Sequence, residues 1–411
     1  MNSPAARPDF DTYKVMPSAD VWKGERLAAT LTRTQSGTEF AYTDDYLARP
    51  GLAVATTLPV TDETLVTPAG AVPPYFAGLL PEGRRLSSLR RAAKTSADDD
   101  LTLLLAVGAD PVGDVKVLPP GTLPSKPRAL VEVDRDWDEV SFSEVMADAG
   151  VEDPIALAGV QDKASARMLS LPVAQSGRRF ILKIDPPEYP NVVLDEHYFL
   201  SLARRAKFPV VNATVVHDKS GRAGLLVERF DRVFEQSTRT ERSLPVEDAA
   251  QALNIYPGDK YRVTTEQVAK ALSDICSSRP LALREIYRQV LFAWLTGNGD
   301  LHAKNLSVVG DTNGEWRMTP AYDLPSTAPY GDRTLAISVG GRTKGLSRKS
   351  LLEFGRQIGL AEKVCESVLQ ETLNATAPVF AEWSESGLSP FGIEATKDTL
   401  RVLQHRRQAA S

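Results

Sequence analysis

The sequence predicts an α+β protein in two lobes, a strand-rich part followed by a mostly helical one, with an added subdomain at the N-terminus. Three observations carry this. Apolar residues recur mainly with the period of strands from about residue 129 to 255, and with that of helices after residue 256. A loop dense in polar side chains, Gly299-Asp300-Leu301-His302-Ala303-Lys304-Asn305, directly follows one of those helices and precedes a hairpin. Lys183 lies inside an apolar strand of the earlier part, where an unpaired ammonium is costly to bury.

Length and composition frame these readings. A chain of 411 residues exceeds the roughly 250–300 at which single cores stop growing, so two or three packed units are expected. Hydrophobic residues make up 42% and charged residues 25%, which allows a real core and excludes a disordered or fibrous chain. The net charge of −5 argues against a whole surface that attracts nucleic acid or anionic membrane; contact with DNA would need a local basic patch or a partner. No apolar run approaches the ~18 residues of a membrane span, and the N-terminus lacks the apolar centre of a signal peptide. A soluble, cytoplasmic protein is expected. Cys276 and Cys365 lie far apart in helical segments, without metal-ligand spacing, and read as buried thiols.

Three segments follow along the chain. Residues 1–125 mix short strands, at Ala28 to Thr32 and Phe40 to Tyr42, with a helical stretch between Glu82 and Val107 and a short strand at Val115 to Val117. The Pro-rich segment Leu118 to Arg128 reads as a linker. Residues 126–255 carry strands at Ala166 to Leu171, Phe180 to Ile184 and Gly224 to Phe230, a turn at Gln175-Ser176-Gly177, and one interrupting helix, Leu194 to Ala206. Residues 256–411 are mainly helical, at Thr265 to Cys276, Ala282 to Thr296, Ser347 to Gly359 and Ala361 to Ala375. One hairpin, Leu306 to Val309 and Glu315 to Thr319, stands among them.

Asp300 and Asn305 have the D-x-x-x-x-N spacing of a kinase catalytic loop, in which the aspartate orients the substrate hydroxyl and the asparagine binds metal. The following hairpin ends at Ala321-Tyr322-Asp323, which sets a second carboxylate where a kinase keeps its metal-binding aspartate. Phosphoryl transfer needs little covalent help but does need Mg²⁺ on the phosphates, and an amide and a carboxylate offer hard oxygen ligands. Taken singly, each aspartate also reads as an ordinary turn residue; order and spacing together favour the catalytic reading. Lys183 then suits the cation on the nucleotide phosphates, and Glu196 or the adjacent Asp195 suits its carboxylate partner. Gly159-Val160-Gln161-Asp162-Lys163 stands upstream of Lys183 where a phosphate-covering loop belongs, although it is not a Walker A sequence.

These segments, with Tyr75 to Gly83, Gly108 to Asp114 and Val227 to Arg232, resemble the successive signatures of the HipA family of toxin-antitoxin serine/threonine kinases. The resemblance runs from roughly residue 40 to 330. It implies a bilobal protein-kinase-like fold using ATP and Mg²⁺, with Asp300 catalytic, Asn305 and Asp323 on the metal, and Lys183 on the phosphates. It further implies that Glu228 and Phe230 meet the adenine and that Gln251, His302 and Tyr322 line the nucleotide pocket. Family members phosphorylate a translation-related protein such as an aminoacyl-tRNA synthetase, and pair with a small helix-turn-helix DNA-binding antitoxin, so DNA would be met only through that partner. One departure concerns the family's autophosphorylated serine, three residues before the loop glycine. The matching position here is Ala156, and no hydroxyl residue lies between Ser143 and Ser165.

Two other functions fit part of the pattern: a kinase-like enzyme acting on a small molecule, and an inactive binding subunit of an antitoxin repressor complex. The basic segment Arg84 to Lys94 and the run Arg401 to Arg407 read as solvated helix faces rather than contacts to DNA.

Overall fold

The computed structural model describes residues 9–96, 99–125, 131–133, 136–148, 168–186, 189–235, 240–385 and 393–411. The loop residues Gly159 to Lys163 and the position of Ala156 lie outside them.

The N-terminal unit is an antiparallel sheet of β1 (Ser18–Lys23), β2 (Arg26–Arg33), β3 (Gly37–Tyr42), β4 (Leu65–Pro68) and β5 (Val115–Leu118), in the order β4-β3-β2-β1-β5. Packed with it are α1 (Phe10–Val15), α2 (Asp44–Ala48), α3 (Pro74–Leu79), α4 (Gly83–Ala93) and α5 (Asp100–Val107). Its core joins Val21, Leu31 and Phe40 of the sheet to Phe76 of α3 and Leu101 and Leu104 of α5. Asp99 caps α5 through its Oδ1, which accepts from the Thr102 amide, a cap worth about 1 kcal/mol.

A second sheet has the order β6-β7-β8-β10-β9. Its strands are β6 (Val131–Glu132), β7 (Leu169–Gln175), β8 (Arg178–Ile184), β9 (Ala213–His217) and β10 (Ala223–Glu228). The hairpin between β7 and β8 turns through Ser176 at φ 50° and Gly177 at φ 76°, the left-handed pair that a tight two-residue turn requires. Two helices accompany this sheet: α6 (Phe142–Asp148), which sequence periodicity had not shown, and α7 (Val192–Arg205). The buried face of α7 carries Val193, Glu196, Phe199, Leu200 and Ala203, so a carboxylate is carried inward among apolar neighbours. Beyond β10 the chain forms a two-stranded ribbon, β11 (Arg232–Glu235) with β12 (Thr240–Ser243).

The C-terminal part is built on α10 (Arg279–Thr296), whose residues from Tyr287 to Thr296 are buried apart from Arg288. Helices α9 (Thr265–Ile275), α11 (Arg348–Gln357), α12 (Glu362–Thr376) and α14 (Ile393–Ala410) surround it, after a short α8 (Ala249–Ala252), with α13 (Pro378–Glu385) beside α14. A small sheet, β13 (Val246–Asp248), β14 (Ser307–Gly310) and β15 (Trp316–Met318), holds the expected hairpin. Gly297 ends α10 at φ 75°, and a side chain there would come within 2.9 Å of Ala328 Cβ. That sharp exit delivers Asn298 to Asn305 to the interface with the second sheet. The fold is thus a mixed α+β, bilobal protein-kinase-like architecture with an added N-terminal sheet. The run near the C-terminus departs from the expected solvated face: Arg406 is buried, donates to the Trp294 carbonyl at 2.9 Å and stacks on the Trp294 ring.

Candidate active site

Lys183 comes from β8, paired with Leu225 of β10 and Ser170 of β7, and its ammonium faces α7. Its Nζ donates to both oxygens of Glu196 at 2.7 Å and to Asp323 Oδ1 at 2.9 Å. Of the two adjacent acids on α7, it is therefore Glu196 that meets the lysine. Asp195, one residue earlier and a hundred degrees round the helix, instead accepts from the Ser326 amide at 2.7 Å. Burial opposes the charge on Lys183, but Asp323 and Glu196 outweigh it and hold the ammonium above its ordinary range. Two carboxylates sharing one cation part company. Burial pushes Glu196 up to about 7, whereas the attraction of Lys183 overcomes burial at Asp323 and keeps it below the usual carboxylate range.

Asp300, Asn305 and Asp323 are set by a web of backbone bonds. The Asp300 amide donates to Asn298 Oδ1 at 2.8 Å, and Asn305 Nδ2 donates to the Asp300 carbonyl at 2.8 Å. Asn298 also reaches the Asp323 carbonyl, at 3.4 Å, so one side chain joins the two ends of the site. Gly299 is packed so closely that a Cβ would lie 2.6 Å from the Thr334 carbonyl oxygen. Asp323 has φ 57°, a left-handed conformation that aspartate tolerates better than most residues. The Tyr261 hydroxyl donates to Asp300 Oδ1 at 3.2 Å, and His302 Nε2 lies 4.0 Å from the same oxygen. Burial, reinforced by Lys260, pulls the His302 imidazole down to about 3, so it is neutral near pH 7.

Among the described residues, two cavities that share lining residues lie in the cleft. One of about 340 Å³ is lined by Ile181, Val227, Glu228, Phe230, Gln251 and Tyr322 among others, and one of about 200 Å³ by Asp300, His302, Asn305, Asp323, Lys183 and Lys260 among others. Phe230 and Tyr322 stack at 5.9 Å, closing one side of the larger cavity. The Tyr322 hydroxyl donates to the Lys304 carbonyl at 2.9 Å. Gln251 is fully engaged as the partner in the Asp248 capping box and as a donor to the Tyr75 carbonyl at 3.0 Å, so it shapes the wall rather than offering a free amide. The Glu228 carboxylate is held by Arg178 and Asn212.

Several cleft residues escaped sequence reasoning. Glu82, just before α4, pairs with Lys260 at 2.8 Å, and Lys304 pairs with Asp248 at 3.1 Å and donates to the Gly78 carbonyl. Arg85 lines both cavities, which corrects the reading of Arg84 to Lys94 as a solvated face at that one position. The N-terminal unit is also clamped to the segment after β10. Asp231, buried, takes Arg229 at 2.8 Å and Arg232 at 2.6 Å, and both arginines reach Asp110. The remaining polar geometry suits a divalent cation: with Nδ2 committed to the Asp300 carbonyl, Asn305 Oδ1 is the amide's acceptor, and Asp323 lines the same smaller cavity with a carboxylate. Two protein oxygens are few for a closed metal cage but fit Mg²⁺, which keeps waters and takes phosphate oxygens.

A strand lobe and a helical lobe with a lysine–glutamate pair at their junction define the bilobal protein-kinase-like class. Comparison with known proteins narrows this. Residues 155–380 match the HipA-like C-terminal domain and residues 19–118 match the HipA N-terminal domain. Y4dM of Sinorhizobium fredii, a kinase candidate by name, is 30% identical over 388 residues, covering 84% of this chain and 87% of that protein. The serine/threonine-protein kinase toxin HipA of Shewanella oneidensis is 26% identical over 345 residues, covering 77% of each. A solved structure of the Shewanella oneidensis HipA, HipB and operator DNA complex superposes with a TM-score of 0.74 at 21% identity, over 95% of this chain and 96% of that one. The chain belongs to the HipA family.

Proposed function

We propose that this protein is an ATP- and Mg²⁺-dependent serine/threonine protein kinase and the toxin of a toxin–antitoxin pair. The observation that carries the reading is the convergence of Lys183, Asp300, Asn305 and Asp323, from both lobes, on one cavity that shares lining residues with a larger, partly apolar one. The larger cavity suits a nucleoside, its base between Val227, Ile181 and the Phe230–Tyr322 stack and near Glu228, with Gln251 fixing the wall. His302, beside Asp300, is held uncharged by burial and by Lys260. Lys183, oriented by Glu196, would hold the α- and β-phosphates, with the loop Gly159 to Lys163 covering them. Asn305 and Asp323 would hold Mg²⁺, which when bound neutralises phosphate charge. Asp300 would orient the acceptor hydroxyl and take its proton as the phosphoryl group transfers. The polypeptide would divide by role at about residues 125 and 255.

The acceptor is proposed to be a translation-related protein such as an aminoacyl-tRNA synthetase. The partner is proposed to be a HipB-like helix-turn-helix antitoxin, as the Shewanella relative was solved with HipB and operator DNA. Among the described residues no helix is long and apolar enough to cross a membrane. The test is transfer of label from ATP in a protein extract, with products separated into protein and small molecules. Label in protein that disappears with Asp300→Asn supports the proposal. Label confined to a small molecule would make this a metabolite kinase, and no turnover at all would favour a binding subunit.

A further inference from the structure

Among the described residues, six line both cavities: Pro81, Glu82, Arg85, Ser170, Lys183 and Asn305. A nucleotide with its base in the larger space and its reacting phosphorus near Asp300 in the smaller one must run its phosphate chain through this junction. The charges there differ in how far they are already committed. Lys183 is bound to Glu196 and Asp323, and Glu82 to Lys260. Arg85 is half-buried and, among the described residues, makes no hydrogen bond or ion pair. The carboxylate nearest in influence, Asp110, is held by Arg229 and Arg232. Burial pulls the Arg85 guanidinium down to about 10, repulsion from Arg229 adds to this, and Asp110 opposes it. A guanidinium with five donors facing a cleft that must take a polyphosphate is matched in both charge and geometry to phosphate oxygens. Helix α4, which carries Arg85, begins at Gly83 without a side-chain cap and packs against β7, so it is fixed relative to the sheet that carries Lys183.

We propose that Arg85, supplied by the N-terminal unit, binds the phosphate chain of the nucleotide at the junction of the two cavities. This rests on the kinase reading above. It makes the N-terminal unit part of the nucleotide site as well as a packing partner. The test is calorimetric titration of ATP and AMP into wild type, Arg85→Ala, Arg85→Lys and Arg91→Ala, with circular dichroism to confirm folding. Arg91 is exposed on the same helix and lines neither cavity, so it controls for loss of one positive charge. The expected result is an ATP affinity reduced about tenfold or more in Arg85→Ala, partly recovered in Arg85→Lys, with AMP affinity changed by less than about twofold. Arg91→Ala should bind both as wild type does. The lysine variant keeps the aliphatic stem, so it reports even where the alanine variant fails to fold. ATP affinity unchanged in Arg85→Ala, or ATP and AMP weakened alike, overturns the inference while leaving the kinase reading standing. A wild-type protein that binds neither nucleotide overturns the kinase reading itself.

Discussion

Lys183→Met removes the ammonium that Glu196 and Asp323 share. In the wild-type protein its Nζ lies 2.7 Å from each Glu196 oxygen and 2.9 Å from Asp323 Oδ1, with the Glu196 side chain only 1% exposed. Methionine fills a similar volume, so lost packing is minor. The cost is that of an uncompensated buried charge, about 3–5 kcal/mol. Protonation of Glu196 relieves part of it, since burial already pushes that carboxyl up to about 7 with the lysine present. Without the lysine, the largest opposing influence is gone, so burial and the Asp323 charge raise it further, against the hydrogen bond from the Asp323 backbone. A carboxyl whose folded value lies above its unfolded one stabilises the fold while protonated, and that contribution is lost as pH rises through the folded value. Lys183→Met should therefore be least destabilised at about pH 5 and most at about pH 8. Lys183→Met/Glu196→Gln should recover roughly half the loss, because only Asp323 remains charged. Urea unfolding followed by tryptophan fluorescence at the two pH values measures both effects. A single variant within about 1 kcal/mol of wild type at the higher pH, or a double variant no more stable than the single, refutes the shared-cation account.

Further outcomes follow from the same geometry. Asp323→Asn should raise the Mg²⁺ concentration needed for nucleotide binding about tenfold or more, because a charged hard ligand becomes neutral; a magnesium titration checks it. Asn298→Ala removes both the bond to the Asp300 amide and that to the Asp323 carbonyl, and should lower kcat with little change in ATP affinity, read from steady-state kinetics. His302 has a folded value near 3, below its unfolded one, so its contribution to stability is present above the unfolded value and lost as pH falls below it; His302→Gln should flatten unfolding free energy between about pH 6.5 and pH 4. Asp231→Ala leaves Arg229 and Arg232 with the Asp110 carboxylate and the Pro111 and Gly113 carbonyls, and should cost about 3–5 kcal/mol in urea unfolding, since all three side chains are buried at the join with the N-terminal unit.

What could be read in the sequence was what is local along the chain. The loop Gly299 to Asn305, the hairpin behind it and Asp323 lie within one short stretch, so spacing alone placed them together. Lys183 stood out because an ammonium in an apolar strand calls for a partner. The choice between Asp195 and Glu196 depended on the rotational phase of α7, which is fixed by the left-handed Asn191 at its start, at φ 66°. The apolar residues Val192, Val193, Phe199 and Leu200 bracket Glu196 at helical spacing, but Asp195 is buried as well, so periodicity alone did not separate the two. The contribution of Glu82 and Arg85 was equally hidden, because it depends on how the N-terminal unit docks across the cleft, through pairs such as Thr56 with Glu247 that are 191 residues apart. A basic helix looks the same in sequence whether one of its arginines faces water or a cavity. Arg406 shows the same limit: only packing against Trp294 distinguishes it from its exposed neighbours. The short helix α6 and the ribbon β11–β12 lack the length that makes periodicity readable.

The central claim, that this cleft moves phosphate from ATP to serine or threonine in a protein, is tested most directly by mapping phosphosites by mass spectrometry. Cells expressing the wild-type chain are compared with cells expressing Asp300→Asn at equal protein levels. The account predicts at least one serine or threonine site, on a protein of the translation apparatus, that is phosphorylated with the wild type and absent with the variant. The same site should reappear when purified wild type, ATP and Mg²⁺ are added to that target. Phosphosites identical in the two cell populations, together with no transfer to protein by the purified chain, would contradict it.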